Sequence, residues 1–243
     1  MSLQLSQQVR SASFSSIPQQ VLDNYYFLDK RFSAKKKWRF MNEKKLWMEL
    51  CLCILSSNIQ YELAQSALSH LNKKNLIDPY WIIEKQNSLK IIAFELSKPI
   101  YHPAKKDGSL RKYRFPNVRA RDLVKSAYFL YSDGRYIKTL LTKSNSIEQI
   151  RSFLVENISG LGLKESSHFL RNIGFDSSLA IIDVHIVSFL KDLKIISKNN
   201  KPITPKYYFE LEKKMQELAE FYGLNLGVLD NAIWYYMKYK ASK

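Results

Sequence analysis

The most restrictive stretch of this chain is Ser159-Gly160-Leu161-Gly162-Leu163, because it joins two helical patterns with almost no chain to spare. Before it, Ser146 and Gln149 have the spacing of a capping box, and Ile147, Ile150, Leu154 and Ile158 recur at helical intervals. A helix should therefore end near Ile158, and a second should start at or just before Lys164. So tight a reversal needs room that side chains would fill, and Gly160 and Gly162 are expected to supply positive φ angles and close backbone approach. This is a helix-hairpin-helix. Its turn presents N–H groups at the start of the second helix, where they can hold a phosphate without reading base sequence. Many helical hairpins contain glycine for steric reasons alone, so the turn by itself fixes no function.

Two residues beyond the turn narrow the field. Lys164 follows it directly, where the positive end of the helix dipole, helped by partial burial, would favour an uncharged amine. An uncharged amine is a nucleophile. Asp183 stands at the head of the next predicted helix, with Ile182 and Val187 placed as a hydrophobic staple around it. Alone, Asp183 serves equally well as a simple cap. Paired with an amine, a carboxylate could stabilise positive charge developing on a sugar and move protons, as displacement of a base from deoxyribose requires.

The run from Gly160 to Ile186, GLGLKESSHFLRNIGFDSSLAIIDVHI, resembles the helix-hairpin-helix DNA glycosylases that carry a catalytic Lys and Asp, and most closely the type 2 8-oxoguanine DNA glycosylase/AP lyases. The matching pieces are Gly160-Leu161-Gly162, the segment Lys164 to Gly174, and A-I-I-D-x-H-I from Ala180 to Ile186. Val184 departs from the family, which more often has a basic residue there, and the loop before Ala180 is slightly long. The resemblance implies that Lys164 is the imine-forming nucleophile and Asp183 the catalytic carboxylate.

Two further segments carry the likeness. R-F-P-N-x-R-A, from Arg114 to Ala120, implies that Phe115 stacks on the damaged base; a staple ahead of the next helix is the plain alternative. The ending LDNAIWYYMKYKASK implies that Trp234 packs against the base while Asp230 and Lys243 help to recognise it, although Trp234 could equally be core. The ILSSNIQ segment resembles the end of the superfamily's first core helix, which makes Asn58 a candidate to enter the gap left by an extruded base. Gly160, Gly162, Asn58 and Arg114 complete the expected DNA contacts.

Charge agrees with a polyanionic partner. Thirty-eight Lys and Arg against 22 Asp and Glu give a net charge of +16 and a pI near 9.7. Lys35-Lys36-Lys37-Trp38-Arg39 interleaves bases with an aromatic ring, and the irregular stretch Lys98–Asn117 adds Lys105, Lys106, Arg111, Lys112 and Arg114. For a lone cluster, a solvated charged face is the ordinary reading. Cys51 and Cys53 lie two apart in an apolar helical run, a poor metal pair and too few for a four-cysteine iron-sulfur cluster; they read as buried hydrophobes. His70, His102, His168 and His185 show no metal spacing, and no apolar run is long enough to span a membrane. No metal or cofactor is expected.

Elsewhere the text is helical. Glu43 to Leu55 reads as a core helix with Leu46, Leu50, Cys53 and Ile54 inward, and Tyr61 to Leu71 as a second. Asn117 is expected to cap a third, Thr204-Pro205 to open another that Gly223 closes, and Leu226 to Tyr239 to form the last. Strand text is limited to a possible short hairpin in the basic stretch. With 243 residues, 46% hydrophobic and 13% aromatic, a folded chain follows. The expected fold is all-α and two-lobed, with the active site in the interlobe cleft. Residues 1–20, acid-free and without a secretory apolar core, read as a flexible extension rather than an organellar transit peptide. Residues 45–176 form a six-helix barrel lobe ending in the hairpin, about 146–174, and residues 21–44 join 177–243 in the second lobe. The expected partner is duplex DNA containing oxidised guanine, bound by a monomer in the cytoplasm with the nucleoid. The alternatives are a helix-hairpin-helix protein that binds DNA without cutting it, and a glycosylase of the same superfamily for another lesion.

Overall fold

The computed structural model describes residues 16–32, 38–144, 146–199 and 202–240, apart from the side chains of 31 and 32. Lys35, Lys36 and Lys37 of the basic cluster, and Lys243, lie outside the described residues. In chain order the helices are α1 (Gln19–Phe32), α2 (Glu43–Ser56), α3 (Tyr61–Lys73), α4 (Pro79–Glu84), α5 (Ser88–Leu96), α6 (Pro116–Tyr131), α7 (Ile137–Lys143), α8 (Ile147–Asn157), α9 (Leu163–Asn172), α10 (Val184–Asp192), α11 (Pro205–Tyr222) and α12 (Leu226–Lys240). The fold is all-α, and among the described residues extended pairing is limited to one antiparallel bridge between Tyr101 and Arg111. The chain divides into two compact units, residues 36–173 and residues 1–35 with 174–243. None of the described helices is long and apolar enough to cross a membrane.

In the 36–173 unit, α2 is the axis. Asn42 caps it, accepting from Lys45 N at 2.9 Å. Besides the inward positions marked by periodicity, Trp47, Cys51, Leu52 and Leu55 are buried, because α3, α6, α7 and α9 pack round it. Enclosed in this way, the helix is buried all round from Leu50 to Ser56, and its charged residues Glu43, Lys44, Lys45 and Glu49 are confined to the first two turns. Both thiols are fully buried, and burial pushes Cys51 and Cys53 well above the ordinary thiol range. Glu43, at the start of α2, also caps α7: its carboxylate accepts from Ile137 N at 2.7 Å, Lys138 N at 3.0 Å and Tyr131 Oη at 2.9 Å. That bond set replaces the cap that Tyr136, the residue before α7, does not make.

The basic stretch is irregular, and its possible hairpin shrinks to the single bridge. Two buried tyrosines pin it: Tyr101 Oη donates to Glu95 O at 2.6 Å, and Tyr113 Oη donates to Leu55 O. Lys105, Lys106, Lys112 and Arg114 are left exposed. Asn117 does not cap α6. The helix opens one residue earlier on Pro116, whose fixed φ suits a first position and whose missing N–H is no loss there, so Phe115 takes the cap position.

In the other unit α12 lies against α1, α10 and α11. Three hydrogen bonds tie the N-terminal segment down: Ile17 N to Tyr222 Oη (3.1 Å), Asn225 N to Tyr25 Oη (2.9 Å) and Asn24 Nδ2 to Ala232 O (3.4 Å). Thr204 caps α11 ahead of Pro205, and Gly223 ends it at φ +65°.

One buried acid joins α3 to α5. Glu95 accepts from Lys98 Nζ (2.8 Å), Lys74 Nζ (3.0 Å) and meets His70 Nε2 at 2.7 Å. Burial pushes its carboxyl up, but hydrogen bonds from Lys98, His70 and Lys74 outweigh it and hold it at about 2, against an ordinary value of 4.5. A depressed carboxyl gives stability that is complete above the unfolded value and is lost as pH falls from about 4.5 towards 2. Glu95→Gln should cost about 1–3 kcal/mol at pH 7 and flatten that acid limb, measured by urea unfolding across the pH range.

Candidate nucleic-acid interface

The hairpin forms between α8 and α9. Ser146 caps α8 by accepting from Gln149 N at 3.1 Å, and Ile158 and Leu161 are buried on either side of the turn. The two glycines do different work. Gly160 has φ +85°, and a Cβ there would lie 2.8 Å from Asp122 Oδ2 of α6. Gly162 does not take the positive φ expected of it: at φ −95°, ψ −171° it is ordinary extended backbone at the cap position. With no side chain of its own to cap, its N–H is instead held by Glu165 Oε2 at 3.3 Å, half of a capping box. Among the described residues the amides of Gly160, Leu163 and Lys164 have no acceptor. They sit at a helix N-terminus, where an anion is favoured.

Lys164 occupies the first turn of α9 with its side chain one-third exposed, and its Nζ is 3.5 Å from Glu165 Oε1. Glu165 is buried, so the amine stands beside a carboxylate that the sequence reading did not count. The spacing Gly162-x-x-Glu165 was the available signal for it. His168, one turn on, packs its ring 6.0 Å from that of Tyr61, and burial, with Arg171 and Lys164 near, holds it well below the ordinary imidazole range. This is a packing histidine.

The same unit carries Asn58, Arg114 and Phe115. Asn58 is exposed at the end of α2 with φ +57°, a conformation asparagine tolerates better than most residues. Phe115 is half-buried, and the exposed Arg114 guanidinium stands 4.9 Å from its ring centroid.

The other unit holds Asp183, Asp230 and Trp234. Asp183 caps α10, and Oδ1 alone accepts both His185 N and Ile186 N, each at 2.9 Å. Among the described residues Oδ2 accepts no bond. Asp230 is 2% exposed and takes Ile181 N at 3.1 Å, so it props the buried segment that leads into Asp183. Tyr208 Oη adds to that support, accepting from Ile182 N and donating to Ala180 O, both at 3.3 Å. Trp234 is half-buried, edge-on to His185 at 6.1 Å, with Lys238 Nζ 4.6 Å from its centroid. Among the described residues no cluster of three or more His, Cys, Asp or Glu is arranged for a metal ion.

An all-α fold with a hairpin of this geometry, its turn amides at a helix N-terminus and a lysine beside them, is that of a helix-hairpin-helix protein. The profile of the Ogg-HhH family, 8-oxoguanine DNA glycosylase, matches residues 87–224. The 8-oxoguanine DNA glycosylase/AP lyase of Thermoplasma volcanium is 35% identical over 211 residues, covering 86% of this chain and 87% of that protein. That of Fusobacterium nucleatum is 30% identical, covering 86% and 88%. The structure of the Methanocaldococcus jannaschii 8-oxoguanine glycosylase/lyase in complex with a 15mer DNA containing 8-oxoguanine matches with a TM-score of 0.67 at 29% identity, covering 86% of this chain and 88% of that one. The Thermotoga maritima 8-oxoguanine DNA glycosylase matches at 0.66 and 28%, over the same shares. The chain belongs to the 8-oxoguanine DNA glycosylase family.

The unequal glycines can be told apart by substitution. Gly160→Ala forces a Cβ onto Asp122 and a left-handed conformation costing about 1–2 kcal/mol, so it should lower stability by at least that much and weaken duplex binding. Gly162→Ala meets only the far end of the Glu165 side chain, at 3.2 Å, and keeps an ordinary extended backbone, so it should cost under about 1 kcal/mol. Thermal unfolding and fluorescence anisotropy on a labelled duplex measure both.

Proposed function

We propose that this protein removes 8-oxoguanine from duplex DNA and then cuts the strand at the resulting site. The single observation that carries the reading is Lys164: a partly exposed amine in the first turn of α9, beside amides with no acceptor among the described residues. The F. nucleatum relative is an 8-oxoguanine DNA glycosylase/AP lyase, and the M. jannaschii relative holds DNA containing the lesion.

In this reading the hairpin amides and the exposed lysines of the basic stretch grip phosphates, and the damaged nucleotide is everted from the stack. Phe115, Trp234 and Lys243 receive the base, with Asp230 acting through the backbone of Ile181. Asn58 fills the vacated position in the duplex. The Lys164 amine, once it has given up a proton, attacks C1′, the N-glycosidic bond breaks, and the base leaves with the electron pair and takes up a proton. Asp183 stabilises the positive charge developing on the sugar and moves protons as the ring opens to an imine. Loss of a proton from C2′ then expels the 3′ phosphate by β-elimination. None of these steps calls for a metal or cofactor. We place the protein in the cytoplasm with the nucleoid, acting as a monomer.

Borohydride should trap a covalent adduct on a duplex carrying an 8-oxoguanine:C pair, and Lys164→Gln should abolish it. Tight binding with no adduct from the unaltered protein would mean a DNA-binding module without chemistry, and an adduct with other lesions only would mean a different glycosylase. Asp183→Asn separates cap from catalyst, because Asn caps a helix about as well as Asp. Stability should hold to within about 0.5 kcal/mol while single-turnover base release falls about 100-fold or more, with duplex affinity little changed. Unchanged base release would leave Asp183 as a cap and nothing more.

A further inference from the structure

One buried ion pair touches both turns that the proposed reaction uses. Arg119 and Asp122 lie three residues apart on α6, each 8% exposed, with Nη1 and Oδ2 2.8 Å apart. Arg119 Nη2 donates to Ser57 O at 3.1 Å, the carbonyl next to Asn58. Asp122 Oδ1 accepts from Ser159 Oγ at 2.8 Å, and its Oδ2 side lies where a Cβ on Gly160 would be. Ser126, one turn further along α6, donates to Ser159 O at 3.3 Å. The pair therefore spans from the end of α2 to the hairpin, using a planar fork at one end and a two-oxygen carboxylate at the other.

We propose that Arg119 and Asp122 are positioning residues that fix the Asn58 turn against the phosphate-gripping turn at Ser159–Gly160, so that duplex capture and insertion of Asn58 occur in one register. The geometry has two separable halves. The Ser159 bond holds the hairpin, and the Ser57 bond holds the exposed asparagine. A lysine at 119 could still pair with Asp122, but a point donor cannot also reach Ser57 in the manner of the guanidinium fork. This inference rests on the glycosylase reading.

The test uses the full chain with Ser159→Ala, Ser159→Thr, Arg119→Lys and the Ser159→Ala/Arg119→Lys double variant. Three readouts are needed: Kd on an undamaged duplex, single-turnover base release at saturating enzyme, and 2-aminopurine fluorescence beside an 8-oxoguanine:C pair to report eversion. Loss of one hydrogen bond at each turn corresponds to an effect of about five-fold. Ser159→Ala should weaken undamaged-duplex binding by about that factor and leave the saturated rate alone, and Ser159→Thr, which keeps the hydroxyl, should restore binding. Arg119→Lys should do the reverse, slowing eversion and base release about five-fold with binding within two-fold of the parent. The double variant should depart from the product of the two, since both bonds run through one pair. The brace is overturned if both variants are silent, or if both shift every readout in proportion to their loss of thermal stability. A parent protein that gives no borohydride adduct sinks the glycosylase reading instead, a result read before any variant is made.

Discussion

The close approach of a backbone to a buried carboxylate sets the hairpin's shape. Gly160 lies against Asp122 with no Cβ between them, and its positive φ turns the chain within the few residues available. Everything on the hairpin inherits that geometry: α9 starts at Leu163 because the chain has already reversed, and Lys164 falls in its first turn for the same reason. Asp122 can come so close only because Arg119 and Ser159 satisfy its charge and its lone pairs inside a packed unit. A free carboxylate pressed on a turn in this way would be a burden. Here it is the anchor.

The features that could be read from the residues in advance are local ones. Ser146 with Gln149, Thr204 with Pro205, and Gly223 act over one helical turn: Ser146 accepts from Gln149 N, one half of the box its spacing implied, Thr204 caps ahead of Pro205, and Gly223 ends its helix. Errors of reading arose where two residue types satisfy the same text. Gly162 looks like a second left-handed glycine, yet its role is to free space at a cap; Asn117 looks like a cap, yet Pro116 starts the helix first. What was out of reach depends on partners far away in the chain. Glu43 caps a helix 94 residues on, Arg119 meets a carbonyl 62 residues back, and Asp122 holds a serine 37 residues ahead. No periodicity carries such pairings, so these residues look like ordinary surface charges in the sequence. Of the proposed site, Lys164 and Asp183 were legible through the long run around them, and Glu165 was not, although its spacing from Gly162 was in plain view.

Asp183 and Asp230 show how one acid can support another. Asp230 uses its carboxylate on Ile181, and Tyr208 holds the residues on either side, so the chain arrives at Asp183 from a fixed direction. Asp183 then needs only one oxygen to start α10. A cap that leaves an oxygen unbonded among the described residues can keep a carboxylate in place with little added conformational cost, which on the proposed reading suits a group that responds to charge arising on a bound sugar.

The two thiols at the centre of α2 bear on the conditions under which such a protein works. Peroxides attack thiolates, and Cys51 and Cys53 are held protonated and out of solvent by complete burial. On the proposed reading, the same oxidants that damage guanine would surround this protein while it acts. Sulfur locked inside the axial helix gives those oxidants no thiolate to reach, so the scaffold that carries Lys164 stays intact in the chemistry that, on this reading, creates its task.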